Sequence, residues 1–170
     1  EALANGESFT KSSYSYLDGS IGMSYNSQVG SSEDDNIYIG LAYHHFNRAK
    51  KISFYTDNKY EMMPKWVGSA GIRMSMTDNA YFTIEADYTK QAIYTEIVGG
   101  ALYTIKLGDA DDPKYSVHAG AYLRWKDALI PVAKREFKPI VIAVSDDANI
   151  SQLKTVSTGR GGFEISLTYQ

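Results

Sequence analysis

The residues best able to do chemistry in this sequence are three histidines, His44, His45 and His118. Adjacent side chains of an extended segment point to opposite faces, so His44 and His45 are not placed to hold one metal ion together. No Cys is present, and no carboxylate spacing completes a set of metal ligands around any of the three. We therefore predict no metal site, no cofactor and no catalytic histidine.

A pair of carboxylates and a glycine-rich run are the other candidates for a reactive site. Glu85 and Asp87 share one face of an extended segment and in principle suit acid and base catalysis. The run Gly159-Arg160-Gly161-Gly162 resembles a phosphate-binding loop, but a strand pattern follows it where such a loop needs a helix. The serine-hydrolase elbow, the P-loop and the zinc-protease motif are absent from the sequence. We predict that the chain is not an enzyme, and that Glu85 and Asp87 line a wet surface.

Composition excludes several other classes of protein. The absence of Cys rules out disulfide frameworks, and a formal net charge of -3 argues against a nucleic-acid partner, which would need a clustered basic face. No stretch approaches the roughly 18 consecutive apolar residues of a membrane-spanning helix. A spanning β-barrel is still compatible with this composition, because its strands alternate apolar and polar residues.

β-Strands must position the polar side chains, because apolar and polar residues alternate with a period of two along most of the chain. The 14 Tyr residues agree with strands, since tyrosine favours strands and membrane interfaces. Segments 128–137 and 140–145 are less regular, because Pro131 and Pro139 lack the N–H group that a ladder requires. We predict a single domain over residues 1–170 with about nine strands: 15–26, 36–46, 66–76, 81–88, 96–105, 115–125, 128–137, 140–145 and 162–169.

Two all-β architectures fit this alternation, and they differ in which face is wet. An antiparallel up-and-down transmembrane β-barrel places the apolar face outward in lipid and the polar face in its lumen. A soluble, lipocalin-like barrel that binds an apolar small molecule places the apolar face inward. The polar face is strongly charged and the apolar face is rich in Gly, Ala and aromatic residues, which favours the membrane barrel. That barrel requires Ile21, Ile39, Ile72, Ile84 and Leu123 outside, and Asp18, Arg73 and Asp87 inside.

The connections between the predicted strands are asymmetric. Residues 47–65 and 147–161 form long connections at one end of the barrel, whereas the tight turn Thr77-Asp78-Asn79 falls at the other end. Outer-membrane barrels have short turns in the periplasm and long loops at the cell surface. The connections therefore favour an outer-membrane barrel that presents two sizeable loops outside the cell.

Three stretches carry a resemblance to a known family. Residues 38–48 combine a glycine-leucine strand with a histidine and an asparagine, residues 119–131 contain aspartate-alanine followed by isoleucine-proline, and residues 149–169 contain arginine-glycine-glycine before the last strand. The residues that match the family pattern are Gly40, His45, Asn47, Asp127, Pro131, Arg160, Gly161 and Gly162. In their order and content these stretches resemble the PorP/SprF family of the type IX secretion system.

The resemblance implies a protein of the bacterial outer membrane that helps to export or anchor large surface adhesins in the type IX secretion and gliding machinery. The implied partners are the secreted adhesin with its C-terminal sorting domain, the periplasmic ring lipoproteins, the barrel-assembly machinery and the lipid bilayer. Members of the family are longer chains, and an odd number of strands does not close an antiparallel barrel of the usual even-numbered kind. We therefore expect the C-terminal portion of a larger, even-stranded barrel.

The last predicted strand carries a candidate signal for membrane assembly. Its apolar positions are Phe163, Ile165, Leu167 and Tyr169, and they end next to the C-terminal residue of the sequence. This series resembles the signal by which barrel-assembly machinery recognises its substrates. The same residues also suit a lipid-facing strand, and the two roles are compatible.

Overall fold

The computed structural model describes residues 13, 15–30, 32, 34–50, 61–109, 111–151 and 160–169, with the Arg160 side chain left out. Among these residues, nine strands form one antiparallel sheet, in which every strand pairs with its neighbours in the sequence. The strands are β1 (Ser20–Gln28), β2 (Asn36–His44), β3 (Lys65–Thr77), β4 (Ala80–Gln91), β5 (Tyr94–Gly108), β6 (Pro113–Arg124), β7 (Ala128–Phe137), β8 (Ile140–Asn149) and β9 (Arg160–Tyr169). The predicted all-β, up-and-down antiparallel fold is confirmed, and the sheet is not closed. Within the described residues, no helix has the length and apolarity needed to cross a membrane.

The first strand begins later than predicted, at Ser20 and not at residue 15. The Asn47 side chain occupies the backbone groups that would otherwise extend the strand: its Nδ2 donates to the Leu17 carbonyl at 2.7 Å, and its Oδ1 accepts from the Gly19 N–H at 3.3 Å. Together with a 3.2 Å backbone hydrogen bond from the Phe46 N–H to the Gly19 carbonyl, these contacts hold the segment before β1, and the ladder between β1 and β2 stops at Ser20. Asp18 therefore lies before β1 and not on its polar face.

The proline in β7 interrupts the ladder on one side only. Pro131 is paired with Ala121 of β6, but on the β8 side the pairing steps from Leu129 directly to Val132. Proline has no N–H to donate, so this gap follows from its chemistry. The strand continues through the gap, and β8 extends beyond the predicted residue 145 to Asn149.

The two faces of the sheet differ in burial as the membrane-barrel hypothesis requires. Ile21, Ile39 and Ile84 are 66%, 48% and 46% exposed, whereas Thr104 and His118 on the opposite, polar face are 0% and 5% exposed. On that polar face Tyr122 of β6 reaches over β5 to Glu85 of β4, which places the polar face on the concave side of a curved sheet. The reverse arrangement, which a soluble ligand-binding barrel needs, is not observed.

The remaining face assignments agree, with one exception. Leu123 is exposed, and Ile72 is half-buried on the same face, paired with Ile37 and Ile84. Arg73 is on the concave face, where its guanidinium lies over the Tyr81 ring. Asp87 shares that face, and the exception is Asp18, which lies outside the strand.

The strand order separates two ends of the sheet, as the sequence predicted. We call one the long-loop end; its connections are residues 45–64, 92–93, 125–127 and 150–159. The other is the short-turn end, with connections 29–35, 78–79, 109–112 and 138–139. Every connection at the short-turn end has seven residues or fewer. Polar side chains of the concave face therefore lie in a trough between a rim of tight turns and a rim with the two longest loops.

Candidate functional site

Two tyrosines lie over glycines in the middle of the concave face. An ideal Cβ on Gly71 would stand 2.2 Å from the Tyr38 ring, and one on Gly100 would stand 2.4 Å from the Tyr122 ring. Each ring therefore fills the space that a side chain on the neighbouring strand would occupy. The Tyr122 hydroxyl donates a 2.7 Å hydrogen bond to Glu85 Oε2. The result is a band of phenol and carboxylate groups that spans β2 to β6.

One arginine joins three acids at the long-loop end. Arg124 Nη1 lies 3.0 Å from Asp147 Oδ2 and 3.2 Å from Asp127 Oδ2, and its Nε lies 3.7 Å from Glu96 Oε2. The Asp127 carbonyl accepts hydrogen bonds from the N–H groups of Ile150 and Ser151. The β6–β7 turn thus holds the first residues of the last long connection, and Arg124 holds that turn.

A buried histidine lies closer to the short-turn end. His118 Nδ1 is 2.8 Å from the Thr104 hydroxyl, and Nε2 is 3.5 Å from Glu136 Oε2. Lys134 lies 3.9 Å from the same Glu136 oxygen. Within the described chain, Nε2 has no partner at hydrogen-bonding geometry. His118 is therefore a packed member of a polar network.

The β1–β2 turn folds onto the concave face at the short-turn end. Asp34 pairs with Lys106 of β5, and both side chains are largely shielded from solvent, at 21% and 14% exposure. Asp35 Oδ1 accepts the Ser75 N–H at 2.5 Å, and the Ser32 and Ser75 hydroxyls are 2.7 Å apart. The turn is thereby fastened across β3 and β4 to β5.

The first group of motif residues stands at the long-loop end of β2. His45 leaves the strand in a left-handed conformation (φ 58°), and its Nδ1 lies 2.7 Å from Asp18 Oδ2. Adjacent His44 contacts the Ser20 hydroxyl at 3.1 Å. Asn47 holds the segment before β1 through hydrogen bonds to the backbone of Leu17 and Gly19. Gly40 lies within β2, where a Cβ would have room, 3.8 Å from the nearest side chain.

The other motif residues surround β7 and the start of β9. Asp127 contacts Arg124, and Pro131 interrupts the β7–β8 ladder. A Cβ on Gly161 would stand 2.5 Å from the Asp147 side chain and 2.6 Å from its carbonyl oxygen, so this close approach requires glycine, whereas Gly162 has open space. Arg160 pairs through its backbone with Ala148.

The candidate assembly signal lies on the outer face of β9, the strand at one edge of the sheet. Phe163, Ile165, Leu167 and Tyr169 are 66%, 67%, 72% and 81% exposed. Their even-numbered neighbours point to the concave side, as the alternation predicted. The location suits both a lipid-facing strand and a recognition signal, and no contact of the described residues distinguishes the two roles.

Charged and phenolic groups of the concave face offer hydrogen bonds and electrostatic contacts to whatever enters the trough. Glu85 and Asp87 share the face, with Glu85 hydrogen-bonded to Tyr122. Among the described residues, no group of three His, Cys, Asp or Glu side chains is placed to hold a metal ion. Sequence reasoning missed Tyr38, Tyr122 and Lys106, because their partners stand on strands whose register no sequence pattern reveals.

A comparison with protein families identifies the family to which the chain with this trough and exposed outer face belongs. The family model of the type IX secretion system membrane protein PorP/SprF matches residues 2–169. The chain belongs to this family. As a PorP/SprF protein it is a membrane protein of the type IX secretion machinery, and the resemblance found in its sequence is confirmed. No curated protein and no solved structure matches the chain.

Proposed function

We propose that this PorP/SprF protein is a non-enzymatic outer-membrane β-barrel that helps to export or anchor large surface adhesins. The observation that carries the proposal is the apolar outer face, exposed from β1 to β9 around a concave face of charged and phenolic groups. Lipid stabilises such an outer face, and a wet lumen suits the inner one. The polar clusters described above hold turns and loops in place, which suits a docking protein.

The membrane part of the proposal is tested by moving one charge between faces. Ile84→Arg places a cation on the outer face near the middle of β4 and should cost about 2 to 4 kcal/mol of insertion free energy near the bilayer midplane. Ser69→Arg is the matched control, because Ser69 pairs with Asp87 on the concave face. Fractionation should find Ser69→Arg in the outer membrane and Ile84→Arg depleted from it. Equal effects of the two variants would contradict a membrane barrel.

We further propose that the sheet is the C-terminal portion of a larger barrel, closed by strands added at β1 and β9. In lipid, backbone N–H and C=O groups need partners, and an open sheet edge leaves a row of them without any. Hydrogen exchange on the intact, membrane-inserted protein tests this directly. Protected amides along both edge strands support closure, and exchange as fast as in the turns would contradict it.

The proposed partners are the secreted adhesin with its C-terminal sorting domain and the ring lipoproteins of the periplasm. Family membership supports interaction with other components of the type IX secretion system. The two long loops give the protein a surface outside the cell. Deleting the gene should abolish display of the adhesin while leaving other outer-membrane barrels at normal levels. Normal adhesin display in the deletion strain would contradict the assignment.

Motif residues His45 and Asn47 have a proposed role in shaping the first long loop. His45 contacts Asp18, and Asn47 clasps the segment before β1, so both fix where the loop leaves the sheet. Asn47→Ala should leave the protein in the membrane but reduce adhesin display. Full adhesin display in this variant would contradict a role of this loop in docking.

A further inference from the structure

A small cavity opens on the concave face at the short-turn end, between β3, β5, β6 and the β7–β8 turn. Its volume is about 240 Å³, which is below the range of sites for whole drug-sized ligands and fits a terminal group of a larger molecule. The charged side chains and the serine that line it are Arg73, Lys106, Lys114, Ser116, Glu136 and Lys138. Four of them are cations and one is a carboxylate.

Two of the four cations already hold carboxylates of this chain. Lys106 pairs with Asp34, which the β1–β2 turn brings over the concave face. Lys138 lies 2.8 Å from Asp112 in the β5–β6 turn. These contacts show that ammonium groups at this rim meet carboxylates at hydrogen-bonding distance, and both carboxylates are carried by turns.

The other two cations contact aromatic rings. The Arg73 guanidinium carbon lies 4.7 Å from the centre of the Tyr81 ring, and the Lys114 ammonium lies 5.8 Å from the centre of the Tyr115 ring. Neither forms an ion pair within the described residues. Tyr81 is 8% exposed, so the guanidinium rests on a fixed surface. A guanidinium that lies over an aromatic ring keeps N–H donors available for a bidentate contact with a carboxylate.

The surrounding charges favour a single carboxylate over a phosphate-rich ligand. The negative charge of Glu136 in the wall lowers the attraction for a dianion. The neighbouring turn adds Asp109, Asp111 and Asp112 at the rim. These acids repel a polyanionic surface, whereas they oppose a single carboxylate less strongly.

We propose that this cavity binds a carboxylate carried by a peptide segment of a partner protein, held by Arg73 and Lys114 with Ser116 as a further donor. The partner approaches from the short-turn end, which the proposed function places in the periplasm, so the identity of the compartment rests on that function. The chemistry of the site rests only on the side chains that line the cavity.

The test uses the intact protein in detergent and a short, blocked Gly/Ser peptide with a single aspartate. Calorimetric titration at low salt should detect binding of this peptide and not of the same peptide with asparagine. Arg73→Gln and Lys114→Gln should each weaken binding about tenfold, the size expected for one charge-assisted hydrogen bond. Glu136→Gln should tighten binding, because it removes a competing carboxylate.

Arg135→Gln is the matched control. Arg135 is a guanidinium at the same end of the sheet and lies 5.3 Å from the Tyr115 ring, but it does not line the cavity. Its loss should leave affinity for the peptide unchanged. Equal binding of the aspartate and asparagine peptides, or equal losses in Arg73→Gln and Arg135→Gln, would overturn the site. Inorganic phosphate that displaces the peptide at lower concentrations than acetate would overturn the carboxylate assignment.

The outcome is separable from that of the proposed function. If the protein fractionates in the outer membrane and supports adhesin display but does not bind the peptide, only the carboxylate site fails. If it binds the peptide through Arg73 but is absent from the outer membrane, only the proposed function fails.

Discussion

Replacing Gly100 with alanine should strongly destabilise the protein, because the concave face has no space for a methyl group there. A Cβ on Gly100 would lie 2.4 Å from Cδ1 and 2.7 Å from Cα of Tyr122, and 2.5 Å from the Ala121 carbonyl oxygen. The ring can rotate away, but the Cα and the carbonyl belong to the backbone of β6. Restoring ordinary contact distances therefore requires β5 and β6 to shift by about 1 Å.

The expected cost combines two effects. Inserting a methyl group into a filled space typically costs about 1 to 3 kcal/mol. Displacing Tyr122 also breaks its 2.7 Å hydrogen bond to Glu85, and bonds to charged groups contribute about 1.5 to 3 kcal/mol. Because the bond is only partly buried, we expect a total loss of about 2 to 5 kcal/mol in the free energy of unfolding.

Gly99 provides the matched control in the same strand. A Cβ there would meet the Glu85 carbonyl oxygen at 3.6 Å and the Ala86 Cβ at 3.9 Å, which are ordinary contacts. Gly99→Ala should change stability by less than about 0.5 kcal/mol, as surface substitutions usually do. Urea unfolding in lipid vesicles, followed by tryptophan fluorescence and by the gel mobility of the folded barrel, measures both variants.

A double-mutant cycle separates the two contributions. In a Tyr122→Phe background the hydrogen bond to Glu85 is already lost, so Gly100→Ala should cost less than it does in the natural chain. The reasoning is refuted if Gly100→Ala and Gly99→Ala are equally stable. An unchanged cost in the Tyr122→Phe background would refute the hydrogen-bond contribution and leave only the steric one.

Three further predictions concern the rims and the last strand. Arg124→Gln should expose the last long connection to limited proteolysis, because its three carboxylate partners lose their shared cation; unchanged cleavage would contradict this role. The Asp112–Lys138 pair lowers the pKa of Asp112 and raises the pKa of Lys138. Its contribution is thus present between about pH 4 and 10 and is lost as pH falls through the lowered carboxyl pKa or rises through the raised lysine pKa. Lys138→Gln should therefore have a lower unfolding midpoint than the natural chain within that window, and the difference should disappear as the pH moves beyond it. Deleting Tyr169 and Gln170 removes, in the proposed membrane barrel, lipid contact of the Tyr169 ring worth on the order of 1 to 3 kcal/mol, yet should leave the protein stranded in the periplasm if β9 carries the assembly signal; normal membrane levels would refute the signal.

Much of the fold could be predicted from local patterns alone. Alternation placed β3 to β6 and β9 within a few residues of their bounds and assigned Ile21, Ile84 and Leu123 to the outer face. This works because successive side chains of a strand point to opposite sides wherever the strand lies in the sheet. The same logic located the tight turn at residues 78–79 and put both long connections at one end.

The strand ends and the contacts of the site followed other causes. β1 starts at Ser20, and the residues before it are held from the next connection by the Asn47 side chain and the Phe46 N–H. The pairing of Asp34 with Lys106 depends on a turn folding across two intervening strands. No periodicity within either segment predicts this contact between Asp34 and Lys106.

Sequence alone therefore determined that the chain is all-β, which of its faces is apolar and which family it resembles. Only the tertiary structure decided which residues meet across the trough. Tyr122 reaches Glu85 because register sets Gly100 opposite Tyr122 and because the sheet curves enough to bring β4 and β6 together over β5. Alternation repeats every two residues and is equally satisfied by every register shifted by two, so the choice among those registers, and the curvature that follows, depends on the packing of the whole sheet.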